Sequence, residues 1–169
     1  DRLTAALHPL DGGYTFETTV TVGGKQAAHV TGRRLGTSSE LTVDSGGVGV
    51  TYRVIPPDAW LMTEGGDWAP ATDPGSSADP LAPLLAPSSV KSVGGAAGVD
   101  TLEAMYPATA LVLTGTDAIK VTITIASDGT VTISYQAPVG SQTGVSKTVF
   151  HAAPTQDPIV APSPLPSGG

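Results

Sequence analysis

The side chains that most often do chemistry are few in this sequence, and none stands in a catalytic pattern. The histidines, His8, His29 and His151, lie far apart and outside a metal-binding spacing such as HExxH. No serine occurs in a Gly-x-Ser-x-Gly sequence, the usual setting of an activated serine nucleophile in one large hydrolase class. No glycine-rich loop is followed by the lysine and helix that bind phosphate. The pattern therefore does not predict an enzyme.

A metal site is not expected either. Glu64, Asp67, Asp73 and Asp79 lie close in sequence, but they lack the alternate-position spacing of a calcium loop. Turn and cap positions explain Asp67 and Asp79. The chain has no cysteine, which excludes disulfides and thiolate metal ligands. We predict no metal and no cofactor.

The net charge and the hydropathy of the chain limit the classes of partner that it can bind. The formal net charge is −7, and the eight lysines and arginines are scattered, with Arg33-Arg34 as the nearest approach to a cluster. Nucleic-acid binding needs a basic face, so we exclude it, and an acidic surface is a poor match for anionic lipid headgroups. No apolar run reaches the ~20 residues that span a bilayer, and no signal peptide is recognisable. The chain begins at Asp1-Arg2 as a trimmed mature domain would.

Both tryptophans, Trp60 and Trp68, flank a Glu-Gly-Gly-Asp turn in a chain that is only 5% aromatic. One interpretation is a cross-strand aromatic pair that closes a core. The other is a face that, with leucines further on, lines a cavity for an apolar ligand. The residues predicted to line that cavity are Val50, Tyr52, Trp60, Met62, Leu81, Leu84 and Leu85. Both interpretations need the same residue types, so they stay open at this point.

The elements that position these residues are mostly strands. Alternation of apolar and polar residues, bounded by glycine turns, predicts strands at 14–22, 26–35, 39–44, 48–55, 59–63, 109–113, 119–126, 130–137 and 144–152. Residues 102–110 are ambiguous and favour strand. Asp79-Pro80 offers a helix start, and Leu81, Leu84 and Leu85 have helical spacing, which predicts a short helix over 79–86. A further helix end is predicted before Pro9.

The chain is long enough for one domain, which we place at 1–153. From Pro154 the sequence PTQDPIVAPSPLPSGG contains five prolines and cannot join a central strand. We predict an extended tail over 154–169 that crosses the body before leaving it. We also expect a monomer.

Three short motifs carry a resemblance: AWLMTEGGDW (59–68), DPLAPLL (79–85) and VFHAAPTQDPIVAP (149–162). In their order and setting the chain resembles the LppX/LprG-type lipoproteins of the actinobacterial cell envelope and, more distantly, the LolA/LolB-type carriers. The resemblance implies an α+β, mostly β fold: a curved antiparallel half-barrel sheet with a few short helices on its concave face. Between them would lie a cavity for acyl chains. It also implies an extracytoplasmic protein, tethered to the outer face of the cytoplasmic membrane by a lipidated cysteine preceding Asp1.

Two functions follow from this reading. The first is a cell-envelope lipoprotein domain that binds or carries lipid in an apolar cavity, with no catalytic residue. The second is a non-enzymatic interaction, scaffolding or sensor module with a filled core. The two differ in whether the face bearing Trp60 and Met62 meets a void or packed side chains.

Overall fold

The computed structural model describes residues 2–96, 98–115 and 117–163. Predictions for Asp1 and for the tail beyond Ser163 lie outside these residues. The described part has one α-helix, α1 (Arg2–Leu7), and 3₁₀ turns at His8–Leu10, Gly75–Ser77, Ala82–Leu84 and Ala108–Leu111. Its strands are β1 (Tyr14–Val22), β2 (Lys25–Leu35), β3 (Ser38–Ser45), β4 (Val48–Ile55), β5 (Asp58–Thr63), β6 (Ala69–Pro70), β7 (Ser89–Gly94), β8 (Val99–Pro107), β9 (Ala118–Ala126), β10 (Val131–Val139) and β11 (Gln142–Ala152).

These strands form one antiparallel sheet in the order β6-β5-β4-β3-β2-β1-β11-β10-β9-β8-β7. The order makes two meanders, β1–β6 and β7–β11, which join where the first strand pairs with the last. Tyr14 lies opposite Ala152, and Val22 lies opposite Gly144. The prediction of a mostly β antiparallel fold is confirmed, and α1 is its one α-helix among the described residues.

Alternation predicted the strands because one face of the sheet is buried and the other is not. In β1, Tyr14 and Phe16 are buried while Thr15 and Glu17 are exposed. The predicted bounds of β1 and β4 are confirmed at both ends. We call the face that carries Tyr14 and Phe16 the inner face and the opposite face the outer face.

The predicted helix at 79–86 is wrong. The segment makes only the 3₁₀ turn Ala82–Leu84, in which Leu84 N–H donates to the carbonyl of Leu81 and Leu85 N–H to that of Ala82. Pro80 and Pro83 have no N–H to donate, so too few donors remain for a run of i to i−4 bonds.

The strand predicted at 109–113 is also wrong. Pro107 ends β8, and the chain turns through Ala108–Leu111 into Val112, which has a left-handed backbone with φ 57°. The N–H of Leu113 returns to the carbonyl of Ala108. The favoured strand at 102–110 is confirmed as far as Pro107, where β8 ends. After the 3₁₀ turn at Ala82–Leu84, the chain forms β7, which is an edge strand of the sheet.

The main core lies on the inner face. Leu3, Leu7 and Leu10 from the N-terminal segment cover Tyr14 and its neighbours on the sheet. Leu81 and Leu84 cover the sheet from the segment after β6. The largest fully buried side chains are Tyr106, Phe150, Leu10, Leu41, Leu102, Ile123, Val121 and Val131.

Candidate functional site

A cleft of about 300 Å³ lies between the inner face of the sheet and a cover made by the 3₁₀ segments. Its floor comes from inner-face positions of β1, β2, β3, β10 and β11. Its cover comes from residues 76–84 and from Leu111. The lining residues are Thr18, Val20, Ala28, Val30, Val43, Ser76, Ser77, Pro80, Pro83, Leu84, Leu111, Ile133, Tyr135, Ser146 and Thr148.

Cross-strand register explains why these residues share a face. Thr18 lies opposite Val30 and Thr148, and Val30 lies opposite Val43. Directly opposed residues point to the same side of an antiparallel sheet, so the floor is continuous across five strands. The cleft is therefore a property of the sheet itself and not of a single loop.

The cleft is uncharged. Its polar groups are hydroxyls, and the hydroxyl oxygens of Thr18 and Thr148 lie 2.9 Å apart within hydrogen-bonding distance. Thr148 is 8% exposed, so this pairing satisfies a buried polar group inside the apolar lining. None of the lining residues is Asp, Glu, Lys or Arg. The arrangement can hold an apolar group but offers no acid, base or nucleophile paired with a base.

Asp79, which precedes Pro80, fixes the cover to the sheet. The hydroxyl of Tyr14 donates to Asp79 Oδ1 (2.8 Å), and Arg34 Nη2 lies 3.0 Å from Asp79 Oδ2. The N–H of Ala82 donates to the same Oδ1 at 3.2 Å. Beside this ion pair, fully buried Ser39 donates to the carbonyl of Ala78 at 2.7 Å. Burial, followed by the charge of Asp79, raises the pKa of Tyr14 above its ordinary value.

The second end is fixed by Tyr106, whose hydroxyl donates to the carbonyl of Leu84 at 2.8 Å. Tyr106 has no exposed surface, and burial raises its pKa to about 12. The cover is therefore held by a polar contact on either side of Pro80 and Pro83. These two prolines span the cleft between the two anchors.

The structure divides the predicted cavity residues among several places. Leu84 lines the cleft. Leu81 and Leu85 line a separate cavity of about 140 Å³ beside Tyr14 and Asp79. Leu81 is buried in the core, whereas Leu85 is 60% exposed.

The other predicted residues lie on opposite faces. Val50 pairs with Val43, which lines the cleft, and Tyr52 pairs with Leu41 in the packed core, so both lie on the inner face. Trp60 pairs with Arg53 and Met62 with Thr51, which places them on the outer face. The predicted set therefore cannot line one cavity. The ring of Trp68 lies against Arg53, whose guanidinium carbon is 4.8 Å from the ring centre, and Pro70 is the residue opposite Trp60.

Sequence reasoning missed most of the floor. The prediction did not include Ala28, Thr18 and Ser146, because cavity residues were expected to be large and apolar. Their small size at inner-face positions is the signal that could have found the cleft, since small side chains on a buried face leave space unfilled.

Outside the cleft, two histidines pair with carboxylates at the surface. His8 Nδ1 lies 2.9 Å from Asp11 Oδ2, and His29 Nε2 lies 2.8 Å from Glu17 Oε1. Across the described ranges, His, Cys, Asp and Glu do not gather in groups of three or more with metal-binding geometry. Within those ranges the chain has no helix with the length and hydropathy needed to cross a membrane.

Comparison with protein-family models and with curated protein sequences finds no match to this chain. The function is therefore inferred from the cleft, its cover and its uncharged lining. These features favour the binding of an apolar group.

Proposed function

We propose that this chain binds a lipid acyl chain, or a comparable apolar ligand, in the inner-face cleft. The observation that supports the proposal is the uncharged volume of about 300 Å³ between the sheet floor and the cover at 76–84. Small-molecule sites range from about 300 to 1,000 Å³, so the cleft stands at the small end of the range. It suits one chain, or part of one, better than a whole diacyl lipid.

The energetics need no directed polar contact. Each CH₂ moved out of water contributes about 0.8 kcal/mol, so several buried methylenes give useful affinity. The paired hydroxyls of Thr18 and Thr148 already satisfy each other, and an apolar ligand does not compete for them. Selectivity would then depend on the length and shape of the apolar group.

The family resemblance leads to two further proposals, one on the shape of the sheet and one on the location of the protein. We infer a sheet curved into a half-barrel, since strands twist and glycines allow bends. The resemblance to LppX/LprG-type lipoproteins leads us to propose an extracytoplasmic carrier tethered by a lipidated cysteine. The three motifs and the open antiparallel sheet support the proposal of a carrier. This carrier function needs no catalytic residue.

The test is native mass spectrometry of the purified protein before and after organic extraction. An extractable mass of several hundred daltons would support binding. The variant Ala28→Phe places a ring in the cleft, because Ala28 is part of its floor. The matched control is Ala27→Phe, since Ala27 is the exposed neighbour of Ala28 in β2 and does not line the cleft.

The expected result is that Ala28→Phe loses the bound mass and no longer takes up a single-chain fatty acid, whereas Ala27→Phe behaves like the parent. Uptake that is equal in both variants would place the ligand elsewhere. A parent protein that stays free of ligand after incubation with fatty acid would reject the proposal.

A second function, a partner-binding module with a filled core, is favoured by the part of the inner face around Phe150 and Tyr106, where side chains leave no exposed surface. For such a module the cleft would be only a packing defect. A ligand-free mass spectrum combined with unchanged stability of Ala28→Phe would favour this alternative.

A further inference from the structure

The proline-rich tail lies against the protein with a period of three residues. From Ala153 to Ser163, the residues with restricted exposure are Ala153, Gln156, Ile159 and Pro162, and every other residue is exposed. Ile159 is 8% exposed, whereas its neighbour Val160 is 61% exposed. A polyproline II helix has three residues per turn, so one of its three edges faces the same surface throughout. The burial pattern is that of such a helix lying on a surface.

Two arginines on the outer face bind the tail at the same period. Arg33 Nη1 donates to the carbonyl of Asp157 (2.6 Å), and Arg53 Nη1 donates to the carbonyl of Val160 (3.0 Å). Arg33 and Arg53 stand on β2 and β4, on either side of Glu40 on β3. Two strand spacings are about 9.6 Å, and three residues of polyproline II rise about 9.3 Å, so the two repeats match.

The carboxylate of Glu40 holds both arginines in place. It accepts from Arg33 Nε at 3.3 Å and from Arg53 Nε at 2.7 Å, with a further contact to Arg53 Nη2. The side chains of Arg33, Glu40 and Arg53 are between 22% and 27% exposed. Glu40 thus holds both guanidinium groups by contacts that do not involve the tail, and such preorganisation reduces the entropy lost on binding.

The surface beside the tail extends on both sides of these arginines. Upstream, Gln156 Nε2 donates to the carbonyl of Arg34 at 2.7 Å, and the N–H of Ala153 donates to the carbonyl of Gly13 at 2.8 Å. Downstream, the row of outer-face residues leads from Arg53 to Trp60, which is only 9% exposed. The guanidinium carbon of Arg53 lies over the ring of Trp68, 4.8 Å from its centre. Aromatic rings with well-placed donors are the usual means of recognising polyproline II segments.

We propose that this outer-face groove, formed by Arg33, Glu40, Arg53 and Trp60, is a recognition site for extended, proline-containing peptides. The chain's own residues 153–162 are its resident ligand. The arginines donate to backbone carbonyls of the tail and not to its side chains. The groove therefore selects a peptide whose extended backbone has three residues per turn, with one residue in every three facing the protein. A peptide of the same form, supplied by another protein, can therefore occupy the groove when the tail leaves. This inference is independent of the inner-face cleft.

The first experiment tests the three-residue burial period of the tail by measuring labelling rates at two neighbouring positions. The chain has no cysteine, so a single introduced thiol reports its own accessibility. The variants Ile159→Cys and Val160→Cys are labelled with a maleimide in the folded full-length chain. We expect Ile159→Cys to react at least ~10-fold more slowly, because only the released tail exposes it. Equal rates would overturn the proposal.

The role of the arginines is tested in the Ile159→Cys background. Adding Arg53→Gln removes one carbonyl contact, and we expect several-fold faster labelling. The control is Lys91→Gln, because Lys91 also forms an outer-face ion pair, with Glu103 at 2.8 Å, on the edge strand β7. Circular dichroism confirms that both variants are folded. Equal labelling in both would mean that Arg53 does not hold the tail.

The second experiment tests recognition of a separate peptide, and it keeps the proposal testable if Arg53→Gln does not fold. The peptide APTQDPIVAPS, which reproduces residues 153–163, is added to the Ile159→Cys chain. A short tether gives the resident tail an effective concentration in the millimolar range, so the peptide is used at ~1–5 mM. Occupation of the groove by the peptide releases the tail and accelerates labelling several-fold.

The control peptide APTQDIPVAPS has the same composition, with the residues at 158 and 159 exchanged so that isoleucine leaves the inward phase. We expect it to have little effect on the labelling rate. Equal acceleration by both peptides would overturn recognition of the period. Failure of the matched peptide to accelerate labelling at ~5 mM would show that the groove takes its tail only as part of the same chain, and would overturn the proposal.

Discussion

Two rows of inner-face residues cross the same strands, one through Phe16 and one through Val20. The side chains of the Phe16 row are packed in the core, whereas those of the Val20 row line the cleft. Phe16 lies opposite Phe150, and the row continues through Gly32 to Leu41. Val20 lies opposite Ala28 on one side and Ser146 on the other. Residues pair directly across the strands in both rows, but a β-bulge follows the Val20–Ala28 pair, so the two regions differ in side-chain volume and in the adjoining backbone.

The largest expected difference between the two regions comes from deleting a side chain in each. Phe150→Ala removes a fully buried ring that packs 5.5 Å from the ring of Tyr14, and we expect a loss of about 3–5 kcal/mol in the free energy of unfolding. Val30→Ala enlarges a cleft that already exists and should cost about 1–2 kcal/mol. Urea denaturation measures both. Equal losses would contradict the distinction between packed region and cleft.

Adding a methyl group sharpens the same comparison. A Cβ on Gly32 would lie 2.6 Å from Phe16 Cζ and 2.8 Å from Leu41 Cβ, so Gly32→Ala should cost about 1–3 kcal/mol. Gly49, on the outer face of β4, has no described atom within 4 Å of such a Cβ. Gly49→Ala should therefore be neutral or slightly stabilising. A Gly32→Ala chain as stable as the parent would show that the packed region has room to relax.

Alkaline pH tests the two anchors of the cover. Burial raises the pKa of Tyr106 to about 12 and that of Tyr14 further above its ordinary value of 10.0. Above pH ~10 the unfolded chain releases these protons while the folded chain keeps them, so stability falls with rising pH, by about 1.4 kcal/mol per unit for each tyrosine. Urea midpoints between pH ~9 and ~11.5 measure the slope.

Each of Tyr14→Phe and Tyr106→Phe should remove one tyrosine's share of that slope. Both variants also lose a hydrogen bond and will be less stable at neutral pH, so the slope is the diagnostic quantity. An unchanged slope in either variant would mean that the tyrosine ionises as readily in the folded chain as in the unfolded one.

The smallest effect is expected beside the cleft, at Val112. This residue follows Leu111 of the cover, is 73% exposed and has a left-handed backbone with φ 57°. A β-branched residue is strained there, whereas Asn tolerates the conformation, so Val112→Asn should gain up to ~1 kcal/mol. The control Val139→Asn, in β10, should not gain. A gain in stability accompanied by weaker ligand uptake would link the strained turn to the cleft.

Much of the sheet was predictable because alternation records which residues face the core. The bounds of β1 and β4 followed directly from this pattern. The faces of β5 were also separable, with Trp60 and Met62 on one side. Which of those sides meets the core depends on register with β4, and large aromatic residues wrongly suggested the inner one. A local pattern contains no information on pairing with distant strands.

Other misses have different causes. Leucine spacing at 81–85 predicted a helix, but Pro80 and Pro83 limit the segment to one 3₁₀ turn. Most of the cleft floor was missed because its residues come from five strands, which no single stretch of sequence reveals. The tail was expected to cross the body, and the structure adds its threefold burial and its arginine partners.

The pairing of β1 with β11 at the middle of the sheet has a consequence for synthesis on the ribosome. The meander β1–β6 is built from contacts between neighbours in sequence and can form as the chain emerges. The other edge of β1 pairs only with Gln142–Ala152. A nascent chain therefore exposes a nine-residue strand edge until those residues have been translated. We expect the vulnerable species during biogenesis to be this half-made sheet, and aggregation to depend on how quickly the last strand arrives.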